Sequence, residues 1–112
     1  MTKPLGTEPP TGLLQYWVHS FEEDSPGVTV YRPDDFPFPP ARGRKGMEFL
    51  AGGVFVDHPI GRGDGVDSVR GCWRMGGGGR RVVVWFPGVG RGVGRELEIL
   101  ACDGKVLRVG VG

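Results

Sequence analysis

Glycine and proline punctuate this chain so often that its apolar residues never run far before a turn residue stops them. There are 22 glycines and 10 prolines among 112 residues. Both disfavour helix interiors, glycine through backbone entropy and proline through its missing N–H. Between them the apolar residues fall into short runs, the pattern of strands rather than of helices or of a disordered chain. Hydrophobic residues make up 38% of the chain, enough for one modest core and therefore for one domain.

Residues 1–12, rich in Pro, Gly and Thr, read as a flexible N-terminal arm, and 13–112 as a single β-barrel domain. About eight strands are expected, over 13–20, 28–32, 47–51, 54–58, 66–75, 81–86, 96–101 and 106–111, with no substantial helix. Asp24-Ser25-Pro26-Gly27 marks a turn, and Gly52-Gly53 suits the positive φ of a hairpin turn. Loops are expected at 59–65, 76–79 and 87–94. Segment 33–46 carries Pro33, Pro37, Pro39 and Pro40, so it cannot be a central strand and is expected as an extended loop or lid. Antiparallel strands joined by short links make a meander, and a meander of this size removes its edges by closing into a small up-and-down barrel. Such a barrel holds side chains or one small ligand.

Charge and motif content narrow the partners. A net charge of +1, from 14 basic and 13 acidic residues, gathers neither nucleic acid nor an anionic membrane. The N-terminus has no apolar leader, and no apolar run reaches the 18 residues of a spanning helix, so the cytoplasm is expected, with Cys72 and Cys102 as reduced thiols. No cofactor is expected. In Gly88-Val89-Gly90-Arg91-Gly92-Val93-Gly94 the glycines stand at every second position, not in a dinucleotide spacing, and no helix follows. Gly61-Arg62-Gly63-Asp64-Gly65 has too few ligands for a calcium loop.

Strand alternation selects the candidate site. If Trp17 points inward, so do Leu13, Gln15 and His19, which places an imidazole near a barrel mouth. Glu22, Glu23 and Asp24 follow directly. Tyr31, Arg32, Arg42, Arg44 and Lys45 flank the long loop and are suited to capturing an anion, or to pairing with the acidic run and stapling the loop down. Acidic and basic clusters are expected to meet at one rim. Asp57 and His58 are neighbours on a strand and point to opposite faces, so with His19 they do not make a metal set, and no metal is expected. Phe36, Phe38, Phe49, Trp73, Trp85 and Met75 either line an apolar pocket or fill the core.

The placement of Trp17, of Gly71-Cys72-Trp73 and of the closing run from Leu97 to Leu107 resembles small lipocalin-like (calycin-type) domains. The run Trp17-Val18-His19-Ser20-Phe21-Glu22-Glu23-Asp24, with Tyr31-Arg32-Pro33 and Phe38-Pro39-Pro40-Ala41-Arg42-Gly43-Arg44, is similar to a group of short bacterial proteins. The first resemblance implies a ligand-binding barrel; the second carries no chemistry over. Gln15 stands where lipocalin-like domains place the glycine of their first Gly-x-Trp.

Three functions fit these residues. One is binding of a small, partly apolar organic ligand in or at the mouth of the barrel, through Trp17, Tyr31, Arg32, Phe38, Arg42, Arg44, Phe49 and Trp73. Another is a cofactor-independent cyclase or isomerase of secondary metabolism, with His19 as base, Glu22 or Glu23 as its partner and an arginine as oxyanion stabiliser. The third is an interaction module with a filled barrel, contacting its partner through the loop 33–46 or the apolar strand 81–86, as in a homodimer.

Overall fold

A computed structural model describes residues 9–41, 43–59, 68–76, 80–87 and 94–110. Eight antiparallel strands close on one another: β1 Tyr16–His19, β2 Val28–Pro33, β3 Gly46–Leu50, β4 Val54–His58, β5 Val69–Met75, β6 Arg81–Trp85, β7 Gly94–Cys102 and β8 Leu107–Gly110. The all-β barrel expected from the short apolar runs is the fold observed. A single 3-10 turn, Phe21–Glu23, interrupts the β1–β2 connection. Among the described residues, no helix is long and apolar enough to cross a membrane.

The order around the barrel is β1-β2-β8-β7-β6-β5-β4-β3, so the sheet departs from a strict meander in one place. β1 lies between β2 and β3, pairing His19 with Tyr31 on one side and Trp17 with Met47 on the other. β2 and β3 therefore run in the same direction. The proline-rich segment 34–45 must travel the height of the barrel outside β1 to join them. It acts as a strap, and its prolines are compatible with this because it adds no strand to the sheet.

Alternation sorts the side chains as expected. Trp17, Met47, Phe49, Phe55, Trp73, Val82, Val84, Ile99, Leu107 and Val109 are buried in the interior. Phe49 packs edge-on against Phe55 and Trp73, with ring centroids 5.2 and 5.6 Å apart. Each buried ring contributes roughly 1.5–3 kcal/mol by removal of apolar surface from water. The buried indoles also satisfy their N–H groups: Trp17 donates to the Leu13 carbonyl and Trp73 to the Leu50 carbonyl, both at 2.9 Å. Gly71 faces inward without a side chain, and the space is taken by the Phe86 ring; a Cβ there would stand 2.6 Å from Phe86 Cδ1.

Several boundaries differ from expectation. The first strand starts at Tyr16, not at 13, because Leu13 and Gln15 are held in a turn by backbone bonds to Pro10 and to Leu13. Leu13 is nevertheless fully buried and belongs to the core, at the end where β1 begins. There Gly12 abuts Gly104, both at positive φ, and a Cβ on Gly12 would overlap the Gly104 Cα. The seventh strand begins at Gly94 and carries a bulge between Ile99 and Ala101 that leaves Leu100 exposed. Gly52 and Gly53 take φ of 83° and 84°, the primed turn their sequence signals. Residues 1–8, 60–67, 77–79, 88–93 and 111–112 fall outside the described residues, and with them most of the arm and of the expected glycine loops.

Candidate functional site

The acidic and basic clusters do meet, and each glutamate is held by its own arginine. Arg44 donates Nη1 to Glu22 Oε1 at 2.8 Å and Nη2 to Glu22 Oε2 at 2.5 Å. It also donates to the carbonyls of His19 and Pro39. Its guanidinium lies between the Phe21 and Phe38 rings, 4.5 and 4.7 Å from their centroids, and its side chain is only 8% exposed. Arg32 repeats the arrangement: Nε and Nη2 donate to Glu23 at 2.8 and 2.7 Å, Nη1 to the Lys105 carbonyl, and the guanidinium covers Phe36 at 4.8 Å. These two arginines pin the strap and the β1–β2 turn to the barrel wall. Arg44 holds the Glu22 carboxyl below its ordinary value. Arg32, aided by the Ser20 hydroxyl, holds that of Glu23 at about 2.

The partner of His19 is Asp24. His19 Nε2 and Asp24 Oδ2 share a hydrogen bond of 2.8 Å, and Asp24 Oδ1 accepts from the Val30 N–H at 2.8 Å. The imidazole is 16% exposed, and its ring sits 5.5 Å from that of Tyr31. Glu22 and Glu23, the partners expected from sequence, are drawn away by the arginines.

A cavity of about 480 Å³ opens at the rim where β1, β4 and β6 end. Tyr31, Lys45, Met47, Asp57, Pro59 and Arg95 line it. Pairing puts Asp57 beside Met47, and Arg95 beside Val84, on the inward face, so three strands aim polar groups into one space. Met47, 3% exposed, forms the floor, and the next inward residue of β3 is the packed Phe49. Arg95 Nη2 approaches Asp57 Oδ1 at 3.5 Å, with side chains 51% and 34% exposed, a looser contact than the two forked pairs outside. Burial pushes the Tyr31 phenol above its ordinary value; Arg95 opposes the rise, while the carboxylates of Asp24 and Asp57 add to it. The phenol therefore stays a neutral donor at physiological pH.

No family model, curated protein or solved structure matches the chain.

The geometry alone thus sorts the expected ligand residues. Tyr31 lines the cavity. Trp17, Phe49 and Trp73 lie in the packed interior below it. Phe38, Arg32 and Arg44 lie outside the barrel wall, joined by the strap, and Arg42 falls outside the described residues. His58 faces outward and stacks on Tyr16 at 4.6 Å, so it does not join Asp57 and His19 at one point. Lys45, one of the cations expected around the long loop, lines the cavity, whereas Arg95 was missed as a site residue. Arg95 fell between the expected loop 87–94 and the expected strand 96–101, and was assigned to neither; Asp57 was legible by alternation from Phe55.

Proposed function

We propose that this protein binds a small, partly apolar molecule bearing an anionic group, at the mouth of the barrel. The carrying observation is the 480 Å³ cavity, into which Tyr31, Asp57 and Arg95 project above a cluster of buried apolar side chains. Its size falls in the usual range for small-ligand sites. Met47 and Pro59 supply apolar wall, Arg95 and Lys45 supply positive charge, and the Tyr31 phenol supplies a donor. One carboxylate, Asp57, faces two cations, which favours an anion over a cation as occupant. A closed eight-stranded antiparallel barrel has room for one small ligand, although the placement of β1 between β2 and β3 differs from the up-and-down order of lipocalins. Unpaired thiols at Cys72 and Cys102 agree with a reducing, cytoplasmic setting.

The test is a titration of isotopically labelled protein with benzoate and, separately, with neutral benzamide, followed by amide chemical shifts. Benzoate is expected to shift Tyr31, Lys45, Asp57 and Arg95, with affinity reduced about tenfold in Arg95→Gln, the loss of one charge-assisted contact. Absence of mouth shifts with either probe overturns the reading.

A second reading rests on the His19–Asp24 pair. A carboxylate bonded to one ring nitrogen orients an imidazole as an acid–base group, here beside Tyr31. Incubation with a bacterial metabolite extract, analysed by mass spectrometry, separates the two. A new product that depends on His19 favours a cofactor-independent enzyme; an unchanged molecule retained by the protein favours a carrier.

A further inference from the structure

The outward residues of β5, β6 and β7 form three columns of different chemistry. β5 presents Arg70, Cys72 and Arg74, β6 presents Arg81, Val83 and Trp85, and β7 presents Gly94, Glu96 and Glu98. Register sets Arg74, Val83 and Glu96 side by side in one row across the three strands. In that row a cation, an apolar side chain and an anion therefore adjoin, with Trp85 extending the apolar part of β6 and Arg81 at its other end. Arg74, Val83, Trp85 and Glu96 border a shallow hollow of about 410 Å³ on this face. Of the three tryptophans, Trp17 and Trp73 are buried inside with bonded indoles, whereas Trp85 is placed outward by the burial of Val84 next to it.

We propose that this face is the contact between two copies of the chain, related by a two-fold axis running along β6. Rotation about that axis keeps each row at its own height and exchanges left for right. Arg74 of one copy then faces Glu96 of the other, twice over by symmetry, and Val83 and Trp85 meet their own counterparts. The alternative in-plane axis, across the strands, would set like charges against like and is disfavoured. A second copy carries the required acid–apolar–base order by construction, which singles it out as the occupant. Arg81 lies on the axis but leans towards Glu96, at 3.7 Å, which draws its charge off the symmetry line. Three strands at about 4.8 Å spacing give a patch of only a few hundred Å² per copy, so the dimer is weak and reversible.

Sedimentation velocity of the full chain from about 10 µM to 1 mM tests this. The sedimentation coefficient should rise with concentration, and the rise should weaken in 0.5 M salt. Arg74→Glu and Glu96→Arg should each abolish association alone, by setting like charges against each other where residue 74 of one copy meets residue 96 of the other. An equimolar mixture of the two should associate at least as well as wild type, because residue 74 of each copy then again meets an opposite charge at residue 96 of the other. A single species for wild type at 1 mM overturns the proposal. So does association that survives Arg74→Glu unchanged, or a mixture that stays monomeric while both variants keep the wild-type circular dichroism spectrum.

Discussion

Replacing Glu23 by glutamine isolates the pair that ties the β1–β2 turn to β2. Glu23 accepts from Arg32 Nε and Nη2 at 2.8 and 2.7 Å and from the buried Ser20 hydroxyl at 2.7 Å. These donors hold its carboxyl at about 2, against an ordinary 4.5. At about 1.4 kcal/mol per pH unit, that gap sets a ceiling of about 3 kcal/mol. The side chain is 33% exposed, so water screens the pair, and about 1 kcal/mol is the expected net contribution. The folded state binds this proton more weakly than the unfolded chain. The contribution is therefore full above about pH 4.5 and is lost as pH falls towards 2. Urea unfolding followed by tryptophan fluorescence, at a series of pH values from 7 to 2, measures it for wild type and Glu23→Gln. Wild type should be about 1 kcal/mol more stable at pH 7, with the gap closing below about pH 4.5. Glu22 and Asp103 are also held low and titrate in both proteins, so the difference reports Glu23. A gap that stays constant down to pH 2, or widens in acid, refutes the reasoning.

Two further substitutions probe the frame around the site. Gly71→Ala puts a Cβ 2.6 Å from both Phe86 Cδ1 and the Trp85 carbonyl oxygen; a loss of about 1–3 kcal/mol is expected in urea unfolding, and wild-type stability would contradict the packing. Arg44→Lys keeps the charge but removes the fork on Glu22 and weakens stacking on Phe21 and Phe38. It should cost about 1 kcal/mol and speed proteolysis within 34–45, whereas an unchanged cleavage rate would rule out its role in holding the strap.

Much of the barrel is legible residue by residue. Gly52-Gly53 announces its hairpin, and the alternation Trp17, Phe49, Phe55, Trp73 places the core. The same alternation separates Asp57, which faces in, from His58, which faces out onto Tyr16. The site was less legible. An acidic run next to a histidine suggests that the nearest glutamates serve the imidazole. Yet two arginines from β2 and from the strap claim Glu22 and Glu23, and Asp24 takes His19.

Which residues form strands, and which way their side chains point, follows from the sequence by itself, because alternation is a local consequence of backbone sterics. Which strands become neighbours does not. Only closure of the barrel places β1 between β2 and β3, turns the proline segment into an external strap, and brings Tyr31, Asp57 and Arg95 around one cavity. Those outcomes depend on register between segments distant along the chain, and on competition among charges for partners. Both are settled by packing the whole sheet at once, not by any short stretch of it.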